Sequence, residues 1–209
     1  NFKATPSLNQ VAASWQVAYE LKVKQYDVLF GTDSSNMQVV LTQLPVNNAQ
    51  PSQLYPLAHG NPVIGNNYYR LRITDIYGNV ITTPAIEIKV RLMDYSMTPS
   101  GNALLHNWSF EHEMKLNSYR IEHSLNATGT WATVGTRSAS NTGAPLSSYT
   151  YTHLRPSLGT NKYRLAYSDV YGNNYLSTEK TIDIQLVNFS ANATNKTVDL
   201  AWNFSNEIN

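Results

Sequence analysis

The 209-residue chain contains no cysteine, which removes disulfides, thiolate metal sites and cysteine nucleophiles together. Charge is also scarce, with 14% of residues Asp, Glu, Lys or Arg and a net charge of +1. Nucleic acid and other polyanions need a concentrated Lys/Arg face, so no nucleic-acid partner is expected. No run approaches the roughly 18 apolar residues of a membrane-spanning helix, and no membrane insertion is expected in this segment. Residues 1 to 30 lack the charged start and apolar core of a signal peptide. A Gly-rich phosphate loop, a Ser/His/Asp order, a metal-spaced His pair and an amphipathic helix are all missing. The expectation is a non-enzyme with no catalytic residue, no cofactor and no metal.

What the chain does contain is itself, repeated. Trp15, Trp108 and Trp202 stand 93 and 94 residues apart, and Glu20, Glu113 and Glu207 keep the same intervals. So do Phe2, Tyr95 and Phe189. Tyr69-Arg70-Leu71 and Asp75-x-Tyr77-Gly78-Asn79 recur as Tyr163-Arg164-Leu165 and Asp169-x-Tyr171-Gly172-Asn173. A period of this size is one small domain. The expected division is 1–91, 92–186 and a third copy, 187–209, that holds only opening strands. Such a chain reads as a window on a longer array. Two strands close no core, so residues 188 to 206 are expected to form strands only when completed by further chain or by a neighbouring subunit.

Short β-branched and aromatic runs alternate with polar residues and are separated by Gly, Pro and Asn, the pattern of strands. Val11, Ala13 and Trp15 match Leu104, His106 and Trp108, then Val198, Leu200 and Trp202; spaced by two, each set lines one strand face. Seven strands are predicted in the first unit, at 2–8, 11–17, 24–31, 37–43, 53–58, 67–75 and 80–90, the fifth carrying a degenerate pattern. The second unit repeats them at 94–100, 103–110, 117–124, 130–137, 147–154, 161–169 and 174–186. The predicted fold class is all-β: tandem seven-stranded immunoglobulin/fibronectin III-like β-sandwiches. Linkers are nearly absent, since only Val187 and Asn188 separate Leu186 from Phe189. Consecutive sandwiches are therefore expected to form a semi-rigid rod.

The chemically able side chains read as structural. A glutamate repeated in every copy with no second acid beside it does not make a catalytic constellation. Glu20, Glu113 and Glu207 are expected to cap backbone amides between the second and third strands. Asp75 and Asp169 each supply one carboxylate, far from the six to eight oxygens of calcium, and are expected to close hairpins in which Gly takes positive φ. His59 and His153 are expected to bond turn backbone, and inward-facing His106 and His123 to pack at the end of the core. Tyr69 and Tyr163 are expected to be corner tyrosines, their hydroxyls tied to upstream backbone. Trp131 has no Trp counterpart in the first unit. Placed on the fourth strand, it covers an edge or offers an exposed ring to a sugar or a sister chain.

Trp15, Glu20 and Tyr26, followed by Asn67-Tyr68-Tyr69-Arg70-Leu71 and Asp75-x-Tyr77-Gly78-Asn79, resemble the fibronectin type III-like repeats of large exported proteins of Bacteroidota. The second unit matches best, through Ser148-Tyr149-Thr150-Tyr151, Pro156-Ser-Leu-Gly159 and Asn161-Lys-Tyr163-Arg-Leu165. The resemblance covers the whole chain and prescribes no catalytic residues. It implies secreted or cell-surface arrays: adhesins, filaments, or spacers beside enzymes. The partners it suggests are sister subunits or neighbouring repeats and, for a carbohydrate-binding region of a secreted glycan-degrading enzyme, a surface glycan.

Overall fold

A computed structural model describes residues 1–206; Glu207 lies outside the described residues. Every regular element among the described residues is a strand. In chain order they are β1 (Lys3–Ser7), β2 (Gln10–Val17), β3 (Val23–Asp33), β4 (Asn36–Gln43), β5 (Gln53–His59), β6 (Gly65–Asp75), β7 (Val80–Thr82) and β8 (Ile86–Ser100). Then come β9 (Ala103–Glu111), β10 (Leu116–Leu125), β11 (Ala132–Ser138), β12 (Ser147–Leu154), β13 (Gly159–Asp169), β14 (Asn174–Leu176), β15 (Lys180–Thr194) and β16 (Thr197–Ser205). No helix among the described residues is long and apolar enough to cross a membrane.

In the first repeat, one sheet runs β1-β2-β5 and the other β4-β3-β6-β8, with β7 also on β6. The second repeat follows the same plan, with β8-β9-β12 against β11-β10-β13-β15 and with β14 on β13. This is the three-plus-four arrangement of an immunoglobulin/fibronectin III-like β-sandwich. Contacts group the chain into two compact units. One holds Asn1–Arg91 with Phe110–Leu116 and Ser140–Ser147; the other holds Leu92–Ser109, Asn117–Ala139 and the chain from Ser148 on.

Alternation puts the apolar residues inside. Val11, Ala13, Trp15, Tyr26, Val28, Tyr69, Leu71, Ile88 and Val90 are buried in the first repeat, and Leu104, Trp108, Tyr119, Ile121, Tyr163, Leu165, Ile182 and Ile184 in the second. The fifth strand, degenerate in sequence, is regular in structure, pairing β2 without a break from Val11↔His59 to Val17↔Gln53. Its inward side chains are Tyr55 and His59, while Leu54 faces solvent. A polar-looking strand thus forms because its aromatic positions face the core.

The seventh strand departs from expectation in both repeats. It is split into β7 and β8, and again into β14 and β15. At the first break Thr83 bonds Leu71 through its own amide, at 2.9 Å, and accepts the Leu71 amide on Oγ1, at 3.1 Å. Ser177 does the same for Leu165, at 2.8 Å and 2.9 Å. A hydroxyl replaces one ladder carbonyl, so the strand steps aside without leaving the Leu amide unpaired. Pro84, which has no amide hydrogen, fits immediately after the first step. Beyond the break, β8 and β15 each run for 15 residues. β8 pairs β6 over Ile86–Val90 and continues without interruption to Ser100.

The third copy forms strands in the single chain: β15 and β16 pair from Leu186↔Phe204 through Phe189↔Trp202 to Thr194↔Thr197. The expectation that these residues need completion to form strands is corrected to this extent. A two-residue connection and antiparallel pairing, broken by one register shift between Leu186 and Asn188, suffice to build the hairpin. Its apolar face stays open, with Trp202 57% exposed against 2% for Trp15 and Trp108.

Candidate functional site

The most concentrated polar chemistry is a buried carboxylate latch present in both complete repeats. Glu20 lies between β2 and β3 and is 1% exposed. Its Oε1 accepts the hydroxyls of Tyr26, at 2.5 Å, and Tyr55, at 2.7 Å, and its Oε2 accepts the Asn47 amide at 2.6 Å. Burial alone would raise the pKa of Glu20. The bonds from Tyr26, Tyr55 and the Asn47 and Val46 backbone outweigh it and hold the carboxyl below its ordinary value. Tyr26 and Tyr55 are pushed up in turn, by burial first and then by the carboxylate. Glu113, fully buried, accepts the amides of Ser140 at 2.7 Å and Asn141 at 3.2 Å.

The amides expected in the β2–β3 connection therefore belong to the connection before the fifth strand, β4–β5 in the first repeat and β11–β12 in the second. The glutamate ties one loop to another across the sandwich end. Asn47 and Asn141 finish the knot: each side chain both accepts from and donates to one backbone residue, Val23 at 3.2 and 2.9 Å and Leu116 at 2.9 and 2.7 Å. Sequence reasoning passed over these asparagines, although they too recur 94 residues apart. Glu20→Gln keeps the shape but loses charge assistance to three donors. A loss of about 1–2 kcal/mol is expected in urea unfolding, and an unchanged midpoint would show that the latch is not charged.

The histidines bond side chains in place of the turn backbone. His59 Nδ1 lies 2.9 Å from the Tyr69 hydroxyl and His153 Nδ1 lies 2.8 Å from that of Tyr163. This corrects the expectation for the two histidines, and each corner tyrosine hydroxyl meets an imidazole of the fifth strand. Two-residue alternation brings His59 to the inward face of β5, directly within reach of β6.

The second repeat adds two more rings. His106 Nδ1 is 3.0 Å from the Tyr95 hydroxyl, and His123 Nε2 is 2.8 Å from Asn161 Oδ1. Tyr163 stands between them, its ring 4.9 Å from His106 and 4.6 Å from His123. Burial, with His153 and His123 adding to it, lowers His106 to about 4. His59 and His153 are lowered in the same direction, burial again being the main cause. His59, His106 and His153 are therefore neutral packing groups at physiological pH. Among the described residues no cluster of three or more His, Cys, Asp or Glu side chains has the placement to hold a metal ion.

Both Asp turns have the expected form. Asp75 Oδ1 accepts the amides of Tyr77 and Asn79, each at 2.8 Å, and Oδ2 accepts Asn79 Nδ2, also at 2.8 Å. Asp169 repeats this with Tyr171 and Asn173, and Gly78 and Gly172 both take φ of 90°. Asn67 and Asn161, each donating to the carbonyl of the Gly two residues before it, close the Pro-x-x-Gly corners.

Trp131 lies just before β11, not on it, and is half-buried. The Arg164 guanidinium sits 4.0 Å from its ring centroid, so one face of the indole already carries a cation.

Latches, corner rings and turns all recur in both repeats and all terminate in structural hydrogen bonds. The fold is that of fibronectin III-like sandwich modules, and these side chains belong to its frame. No protein-family model matches the chain, and no curated protein matches it. Among solved structures it is similar to the FN1–FN3 domains of chicken CNTN1, at 14% identity and TM-score 0.33 over 97% of this chain and 73% of that one. It is also similar to a two-domain fibronectin type III segment of chicken tenascin, at 14% identity and TM-score 0.36 over 87% and 95%. The fold assignment rests on the strand order above.

Proposed function

We propose that this chain is a non-enzymatic structural segment of a long extracellular bacterial surface or filament protein, acting as a semi-rigid spacer with a capacity for self-association. The observation that carries the reading is strand continuity. The last strand of one repeat and the first of the next are a single 15-residue element, β8 and again β15. A connection with no loop has few backbone torsions free to vary.

A glycan-binding role would need several exposed rings on one face; the contact of Trp131 with Arg164 gives it no such support, and the spacer reading is preferred.

The absence of cysteine makes the test direct. Ser34→Cys and Thr128→Cys, both at exposed positions, would carry a pair of spin labels. A single narrow distance distribution is expected, broadening when a Gly/Ser insert is placed between Arg91 and Leu92. A broad distribution in the parent chain would overturn the spacer reading.

A further inference from the structure

Latches, corner rings and turns recur in both repeats; one corner of the second repeat does not. β3 and β4 are joined by two residues, whereas β10 and β11 are joined by six, 126–131. The longer connection is fixed at its start, where Asn126 donates its amide to the Thr160 carbonyl, at 2.7 Å, and accepts the Thr160 amide on Oδ1, at 3.1 Å. It ends on Trp131, which the Arg164 guanidinium holds from one face. The corresponding turn of the first repeat, residues 32–36, is exposed although a complete repeat follows it, so this end of the sheet is open in its own right.

Beside this connection lies a cavity of about 100 Å³ lined by Ser124, Ala127, Gly129, Trp131, Lys162 and Glu179. Arg164 does not line it, so the cation that steadies the indole leaves the cavity free. Lys162 Nζ and Glu179 Oε2 lie 3.4 Å apart. Ser124 is 2% exposed, and its Oγ has no hydrogen-bond partner among the described residues; a buried hydroxyl in that state is costly. None of these three polar residues recurs, since the first repeat has Gly31, Tyr68 and Ala85 at the equivalent positions. At Gly31 a Cβ would come within 2.4 Å of the Asn36 carbonyl oxygen, so the short turn leaves no room for a serine.

We propose that this cavity binds the vicinal diol of a terminal sugar ring. Its volume is that of about three water molecules, which suits two adjacent hydroxyls and excludes a whole ring. Lys162 only donates, Glu179 only accepts and Ser124 does both. A diol, whose two oxygens each donate and accept, satisfies all three at once. The charges of the ion pair cancel, so a carboxylate or an amine would enter only by breaking it. The indole supplies an apolar wall for the C–H face of the sugar. Laying a long glycan along a surface takes a row of exposed rings; gripping a chain end takes one enclosed edge. The site stands apart from the spacer reading, which rests on strand continuity.

The test is a nuclear magnetic resonance titration of the whole chain with methyl α-D-glucopyranoside, methyl α-D-mannopyranoside and methyl β-D-galactopyranoside, which between them present trans and cis diols. Saturable shifts are expected with at least one of them, at millimolar Kd, confined to residues 124–131, 162 and 179 and to the Trp131 indole. Ser124→Ala and Glu179→Gln should each weaken binding about tenfold. The Glu179 side chain is 46% exposed where it pairs with Lys162, so its replacement spares the fold, which circular dichroism verifies. The proposal is overturned by no saturation with any of the three sugars at about 100 mM, by shifts centred elsewhere, or by full affinity in either variant. Equal binding of tetrahydropyran, which has the ring without the hydroxyls, or tighter binding of acetate or methylammonium would overturn it too. Any of these results beside a narrow spin-label distribution would leave the spacer reading intact.

Discussion

Trp15→Ala and Trp108→Ala should each destabilise the chain by about 3–5 kcal/mol, whereas Trp202→Ala, at the third repeat of the same motif, should cost less than about 0.5 kcal/mol. The three residues are indistinguishable by sequence position, so the contrast isolates burial. Trp15 is enclosed by Tyr26 at 5.3 Å and Tyr55 at 5.4 Å, and Trp108 by Tyr119 and Tyr149, both at 5.4 Å. Removing either indole leaves a cavity that the flanking tyrosines cannot close, and in the first repeat both tyrosines are fixed by their bonds to Glu20. Neither Nε1 has a hydrogen-bond partner, so ring area, not a polar contact, carries these positions. Trp15→Phe, which keeps most of the ring and deletes a buried unpaired donor, should accordingly be milder than Trp15→Ala. The measurement is urea unfolding followed by far-ultraviolet circular dichroism, with separate transitions allowed for the two units. Equal losses at Trp15 and Trp202 would contradict the sandwich cores described here.

Most of the architecture was legible because a strand with one buried face writes its orientation into alternate residues. Val11, Ala13 and Trp15 could be assigned inward from spacing alone, and comparison with Leu104, His106 and Trp108 separated face from accident. The same logic found the Asp75 and Asp169 turns, whose chemistry is local: acceptor, two amides and a Gly lie within five residues. It failed where a side chain's partner is far away in sequence. Glu20 meets Asn47, and His59 meets Tyr69, through the sandwich; periodicity gives the face but not the neighbour on the opposing sheet. The break between β7 and β8 was missed because Thr83 and Ser177 look like ordinary strand residues. Only their second bond to Leu71 and Leu165 reveals the step. Trp131 was placed on the fourth strand, whereas β11 begins at Ala132 and the indole lies under Arg164.

Acid should weaken the second repeat in a window set by His106. The ring is fully buried among Tyr95, Tyr151 and Tyr163, with His123 and His153 the titratable neighbours that face the same cluster. Burial first, and those two imidazoles second, lower its value to about 4, against about 6.5 when unfolded. Above pH 6.5 the ring is neutral in both states and the full stability is present. As pH falls from 6.5 to 4 the unfolded chain takes up a proton that the folded chain refuses, and stability declines by about 3 kcal/mol. Below pH 4 this group causes no further loss. His153, depressed in the same direction, adds to the decline from the same starting pH, and His59 acts likewise in the first repeat. The carboxylates act elsewhere on the scale: Glu20, Asp27, Asp75 and Asp169 are all held below their ordinary values. Their stabilisation is present above the unfolded carboxylate range and is lost as pH falls from that range down through their depressed folded values. The chain itself suggests the control substitution, since the equivalent position is Ala13 in the first repeat and Leu200 in the third. His106→Leu should unfold with a shallower pH slope between 6.5 and 4 while keeping its carboxylate-driven loss below 4. If His106→Leu kept the parent slope, or the His106 ring titrated near 6.5 by nuclear magnetic resonance, the imidazole would have to be exposed to water, and the packing of the Tyr95–His106–Tyr163 cluster would be wrong.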